Sequence, residues 1–283
     1  MSRLTDKFFS PQAVKHLEHW NSHMVALGTV ELSLLMNGQK PLWLPGCDLR
    51  EAILQASDLR GAWLPGALFD RASLDDAILR GANLAFCRFD DANLDSACLH
   101  SANLRGASLL RATLHRTNLT DAILVETDFT NADLSASEIF RTVLHEAKLE
   151  RANLNGARLS ASVGIRVRFT NADLTNAELQ SARFELSDFS TAILARANLE
   201  SSSLAGSSFE RAILTDAVLA HAVLTDVNFE HADLSSARLQ DANLRGAKMT
   251  GSVLTGARYN DATIWPDGFD PDAAGAIGDP LLP

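Results

Sequence analysis

The chain has 283 residues, 46% of them hydrophobic and 21% charged, enough apolar material for a large core. No run approaches the ~18 continuous apolar residues of a membrane span. The opening MSRLTDKFFSPQAVKHLEHW lacks the apolar stretch and small-residue cleavage site of a signal peptide, so a cytoplasmic location is expected. The formal net charge of −10 weighs against direct binding to nucleic acid or to an anionic membrane. Three cysteines (Cys47, Cys87, Cys98) are far too few for a disulfide framework.

Residues 1–41 read as an N-terminal cap. Ser10 is placed as a helix N-cap and Pro11 at the first helical position, with Val14, Leu17 and Met24 at helical spacing. A short amphipathic helix is predicted there, followed by a hairpin turning at Asn37-Gly38. His16, His19 and His23 share one face of that helix, but no carboxylate or cysteine completes a metal-ligand set, so no metal is expected.

From Leu44 to Ile264 the chain follows a register of five. All 45 residues whose numbers end in 4 or 9 are large and apolar, except Gly164. Two residues before each stands a small one, mostly Ala, with Val167 and Val227 as bulkier exceptions. An α-helix, at about 100° per residue, would smear this stripe around its axis. A flat strand of period two would send successive leucines to opposite faces. A chain that turns a corner every five residues satisfies the pattern, and that is a solenoid. Seven of the eight phenylalanines on the register (69, 89, 129, 169, 189, 209, 229) fall in one class modulo 20. This implies four units per coil, a square cross-section and, at about 4.8 Å per coil, a rod of about 11 coils and about 50 Å over residues 42–264. Cys47 and Cys87 fall at small inward positions about 10 Å apart, too far for a disulfide.

At Gly164 the ladder breaks, and two readings stay open. One is a local bulge or a shift of the inward position to a neighbour. The other is an apolar contact patch, for a partner or a second copy, made by Val163, Ile165, Ile123, Val125 and Val143 on the outside of the same wall. Residues 265–283 read as a C-terminal cap and mobile tail, with Trp265 and Phe269 plugging the last coil.

Units such as ANLRG, ADLSS, ANLDS and SDLRG match the A-(D/N)-L-X-X pattern of the bacterial pentapeptide-repeat proteins, which the chain resembles over roughly residues 42–264. The tail WPDGF resembles that of many family members. The resemblance implies an all-β fold, a right-handed quadrilateral β-helix. Several members act as non-catalytic DNA mimics that protect the type II topoisomerases DNA gyrase and topoisomerase IV from antibiotics or other poisons.

Sorted by wall, the outward charges concentrate on one face, where Asp75, Asp76, Asp95, Asp133, Asp173, Asp216 and Asp233 stand against Arg116 and Arg196. This acidic stripe of about 40 Å is comparable with one turn of DNA, about 34 Å. It makes a gyrase-binding DNA mimic the first functional expectation. Two features depart from the resistance members: the unbroken register leaves no room for projecting loops, and the tail lacks an apolar helix for C-terminal dimerisation. The alternative is a rigid adaptor that binds a regulatory or biosynthetic protein, or a second copy as a homodimer, through the apolar patch. No phosphate loop, nucleophile elbow or pocket-forming irregularity is present in the sequence, so neither enzyme activity nor a cofactor is expected.

Overall fold

A computed structural model describes residues 42–279. The expected helix and hairpin of 1–41, with His16, His19 and His23, lie outside the described residues. From Trp43 onward, short parallel bridges join each coil to the next at a spacing of 20 residues, as in Ile123↔Val143↔Val163↔Arg183. Four such bridges recur in each 20-residue coil, at residues numbered like 143, 148, 153 and 158. No helix occurs among the described residues.

The unit 153–157 shows why the register is five. Asn153 N–H donates to Ala132 O in the preceding coil (2.9 Å), and Leu154 N–H to Asp173 O in the following one (2.7 Å). Gly156 N–H also reaches forward, to Thr175 O (2.9 Å), while Ala157 N–H closes the corner onto Leu154 O (2.9 Å). Only Asn155 N–H has no backbone acceptor, and the Asn153 side chain takes it, Oδ1 lying 3.1 Å away. Asp or Asn at this slot repeats the bond from unit to unit, as in Asn103 with Arg105 N–H and Asp128 with Thr130 N–H. The Asx side chain therefore completes the donor accounting of a five-residue corner.

Turning so tightly requires left-handed backbone. Every residue numbered with a final 1 or 6 from Gly46 to Gly256 has φ between 52° and 73°, and 33 of these are not glycine. Positive φ at the third residue of a four-residue turn is the requirement that usually selects glycine or asparagine. Here coil-to-coil pairing and core burial outweigh an intrinsic cost of about 1–2 kcal/mol per residue.

Inside the coil, the small residue and the large one both point inward and are buried almost without exception from Leu49 to Leu254. The phenylalanines stack as the 20-residue class requires: Phe69 on Phe89 with centroids 4.7 Å apart, and Phe169, Phe189 and Phe209 in series at 4.5 and 4.6 Å. Several hydroxyls and a thiol in the small slot reach carbonyls of the previous coil, whereas Ser137 and Thr142 bond the carbonyl of their own corner and the Ser57 and Ser202 hydroxyls have no partner among the described residues. Thr117 Oγ1 donates to Leu94 O (2.7 Å), and Cys87 Sγ lies 2.9 Å from Leu64 O.

Gly164 is neither a bulge nor a shift. Val163 keeps its 20-residue spacing to Val143 and Arg183, Gly164 stays buried at the inward position, and Val163 and Ile165 stay outward. The side chain of Val167, the outsized residue in the next small slot, occupies the vacated space. A Cβ added at Gly164 would lie 2.5 Å from Val167 Cγ2 and 3.2 Å from Leu144 Cβ. Val167 N–H turns to Ser187 Oγ (3.0 Å), the next coil's small-slot hydroxyl, in place of the usual corner carbonyl.

The register of five ends one unit earlier than the sequence pattern indicates, at Tyr259. Asn243 bridges Ile264, 21 residues on, so Ile264 faces outward at 42% exposure, Thr263 is buried, and Trp265 packs against the core. The extra residue lies in the Asn260–Thr263 turn, closed by Thr263 N–H to Asn260 O (3.0 Å), with Asn260 Oδ1 accepting from Asp241 N–H (3.0 Å). Trp265 and Phe269 rest together at 5.3 Å on the last coil. Beyond them a two-residue strand missed by the sequence reading, β2 (Ile277–Gly278), pairs in parallel with β1 (Arg258–Tyr259). Arg258 Nε, 3.0 Å from Asp279 Oδ1, anchors that pairing.

The packing at Gly164 gives the first prediction. Gly164→Ala should destabilise the rod by about 1–3 kcal/mol through overpacking. Val167→Ala should be costly in the wild-type background but much less so beside Gly164→Ala. Urea unfolding of the four proteins should return a coupling of about 1 kcal/mol or more; additive effects would show that the two side chains do not share the space.

Candidate protein-interaction surface

The acidic residues foreseen from sequence stand on one wall of the solenoid, in the strand and corner positions of the series running through Ser73, Asn93, Thr113, Asp133, Asn153, Asp173, Ile193, Ile213 and Asp233. Asp76 and Asp216 are exposed at left-handed corners, and the other five are half-buried. Asp133, Asp173 and Asp233 also serve the fold, accepting the N–H of Ser135 (3.0 Å), Thr175 (2.9 Å) and Ser235 (2.9 Å). Asp95 Oδ1 accepts from His115 N–H in the next coil (2.9 Å), and Asp75 accepts from the Ser73 hydroxyl. The fold demands an oxygen at the strand slot, not a charge, since Asn93 and Asn153 make the same bond on the same wall.

Charge compensation separates this wall from the others. Among the described residues, none of the seven carboxylates forms an ion pair. On the neighbouring walls the carboxylates are largely neutralised: Arg111 grips Asp91 and Arg141 grips Asp121 with two hydrogen bonds each across 20 residues, and Lys148 reaches Asp128 at 3.1 Å. The guanidiniums hold the Asp91 and Asp121 carboxyls below the usual aspartate value. Burial alone would raise Asp128, but the Thr130 hydroxyl and amide together with Lys148 leave it lowered.

The apolar residues foreseen around Gly164 fall together on another wall. Ile123, Val143 and Val163 are successive bridge partners, Ile123 and Ile165 are 43% and 42% exposed, and Val125 is half-buried. The same wall carries exposed apolar residues that the sequence reading passed over: Trp43, Trp63, Phe86, Leu186 and Val223. Their 20-residue spacing was a signal that could have found them.

No group of histidine, cysteine and carboxylate side chains suited to a metal ion occurs among the described residues. All three cysteines are free, and burial pushes the Cys47 thiol up to about 12. No helix among the described residues is long and apolar enough to cross a membrane.

A family model described as pentapeptide repeats matches in eight copies, over residues 43–71, 67–106, 97–135, 142–180, 165–190, 192–230 and 222–258. The chain belongs to the pentapeptide-repeat family. Among solved structures it is similar to HetL, a pentapeptide repeat protein involved in heterocyst differentiation regulation in the cyanobacterium Nostoc sp. strain PCC 7120. The two are 28% identical over 81% of this chain and 93% of that one, with a TM-score of 0.33. A pentapeptide repeat protein of the Arabidopsis thaliana thylakoid lumen is 34% identical over 36% of this chain and 70% of its own, with a TM-score of 0.28. Full-length QnrB1, a plasmid-mediated fluoroquinolone resistance protein, is 15% identical over 84% and 92%, with a TM-score of 0.31. No curated protein matches the chain. Pentapeptide-repeat proteins are in general structural or protein-interaction proteins.

The Arg–Asp clasps carry a pH prediction. Folded-state carboxyl values lowered from 3.8 mean that Asp91 and Asp121 contribute stability that is fully present above that value and lost as pH falls through their lowered values. The urea midpoint should therefore fall between pH 5 and pH 2, and Arg111→Gln with Arg141→Gln should shrink that fall. An unchanged pH dependence in the double variant would show that the clasps are energetically silent.

Proposed function

We propose that this protein is a non-catalytic interaction rod whose acidic wall mimics duplex DNA and occupies the DNA-binding surface of a type II topoisomerase, DNA gyrase or topoisomerase IV, protecting it from a poison or antibiotic. The finer architecture belongs to the same reading: a right-handed quadrilateral β-helix of about eleven coils, capped by residues 1–41 at one end and 265–283 at the other. The observation that supports it is that, among the described residues, Asp75, Asp76, Asp95, Asp133, Asp173, Asp216 and Asp233 form no ion pair while most of the other carboxylates do. Uncompensated charge along about 40 Å of rigid rod is a field available to a cationic saddle, for steering and for binding. A second reading, an adaptor for another protein, is favoured by the apolar strip of exposed Ile123 and Ile165 with half-buried Val143 and Val163.

Because Asp133, Asp173 and Asp233 also hold corner amides, the test neutralises them to Asn and reverses only the unbonded corner residues. Wild-type protein at about micromolar concentration should change DNA supercoiling by purified gyrase or rescue it from a poison, and its binding should weaken steeply with salt. The combined variant Asp76→Lys, Asp216→Lys, Asp133→Asn, Asp173→Asn, Asp233→Asn should lose this effect while keeping its melting temperature within a few degrees, since Asn supplies the same acceptor. An effect that survives these changes would sink the DNA-mimic reading, as would a wild-type protein without action on gyrase.

A further inference from the structure

The acidic wall and the apolar wall lie half a coil apart, on opposite faces of the solenoid. Eight of the 14 large apolar side chains exposed among the described residues stand on the apolar wall: Trp43, Trp63, Phe86, Ile123, Ile165, Leu186, Val223 and Ile264. Its charges cancel, with Arg105, Arg166, Arg183 and Arg245 against Glu126, Glu146, Glu185 and Asp226. An apolar surface with zero net charge, on a chain of net charge −10, is a face on which two like-charged copies can meet without net charge repulsion.

We propose that this wall binds a second copy of the chain, antiparallel, about a two-fold axis through the coil of Val143 and Glu146. The order of residues along the wall argues for that axis. With the copies face to face and reversed, each strand or corner position meets the same kind of position an equal number of coils beyond the axis. One coil out, Ile123 faces Val163 and Val125 faces Ile165. At the corner of that coil Glu126 faces Arg166, and two coils out Arg105 faces Glu185, so opposite charges meet there; on the axis Glu146 faces its own copy, each carboxylate already paired with Arg166 of its own chain (3.5 Å). Three coils out, Ala85 faces Ala205.

The corner series adds shape to charge. Phe86, 50% exposed, leans over Gly106 of the next coil, where an added Cβ would lie 2.7 Å from its ring. Leu186, 56% exposed, leans over Gly206 in the same way, at 2.8 Å. Both occupy left-handed backbone, φ 60° and 56°, where a bulky apolar residue is seldom placed. The proposed axis sets the Phe86–Gly106 pair of one copy against the Leu186–Gly206 pair of the other, so the two apolar knobs close the ends of the strip. An isologous interface requires this self-complementarity, each patch matched by its own reversal. A wall of about 50 Å by about 16 Å offers on the order of 800 Å² per copy, the usual extent of a specific interface. In such a dimer the two acidic walls point outward on opposite sides, so the proposal stands whether or not those walls engage a topoisomerase.

The test is sedimentation of the full chain, with thermal unfolding of every variant as the folding control. At about 10 µM the wild type should sediment as a dimer of the 30.6 kDa chain. Glu126→Arg and Arg166→Glu should each weaken the dimer at least about tenfold, by setting like charges across the interface, and the double variant should restore it. The two positions lie two coils apart within one chain, about 10 Å, so rescue reports the contact between copies. Val143→Asp, on the axis, should give monomer. A wild type that is monomeric up to about 100 µM overturns the proposal, as does a dimer indifferent to Val143→Asp and to both charge variants, which would use another face.

Discussion

The donor accounting of a five-residue corner governs this molecule. Each unit has five backbone amides. Three pair with the coils before and after, one closes the corner, and one is left for a side chain. An Asp or Asn directly before the inward leucine supplies that acceptor from a strand position that faces outward. Its carbonyl-type oxygen is all the fold asks for, which leaves each unit free to be charged or neutral there. The surface electrostatics of the rod are thus written largely in a slot that is structurally indifferent to them.

That freedom has been used unevenly around the coil. On two walls the carboxylates meet arginines one coil away in clasped pairs; on a third, seven carboxylates form no ion pair among the described residues; and on the face opposite, the charges cancel among exposed apolar side chains. A uniform backbone therefore presents faces of different chemistry about a single core. Because parallel pairing holds the coils at nearly constant spacing, residues 20 apart are rigid neighbours, and a pattern along one wall acts as a surface and not as a set of independent side chains.

The left-handed corners show how far the tertiary context overrides local preference. Thirty-three non-glycine residues, β-branched Thr191 among them, hold positive φ. No single corner would be stable in isolation. Each is held because the leucine before it is buried and the coils on both sides are hydrogen-bonded to it. Stability in such a structure is shared between neighbours, and this is also why the missing side chain of Gly164 is compensated three residues away by Val167 without disturbing the register.

The fold class, the 20-residue coil, the stacked phenylalanines and the grouping of Asp75 to Asp233 on one wall were all legible in the sequence, because a strict repeat converts residue number into position. Anything that breaks the arithmetic was not. Ile264 continues the pattern by type but is turned outward by one extra residue in the turn at Asn260, which hydrogen bonding to Asp241 and Thr263 decides. Gly164 reads as a defect until Val167 is seen to fill it. The positive φ values left no trace in composition, since the corners are mostly polar residues and not glycine. The lack of ion pairs for the seven Asp residues of the acidic wall, among the described residues, depends on where long arginine side chains reach, a question of coil-to-coil geometry that periodicity alone does not contain. The sequence by itself determined which residues share a wall, because spacing by 20 is a property of the chain. Only the tertiary structure decided which of them are paired, filled or left open, because those outcomes depend on contacts between coils.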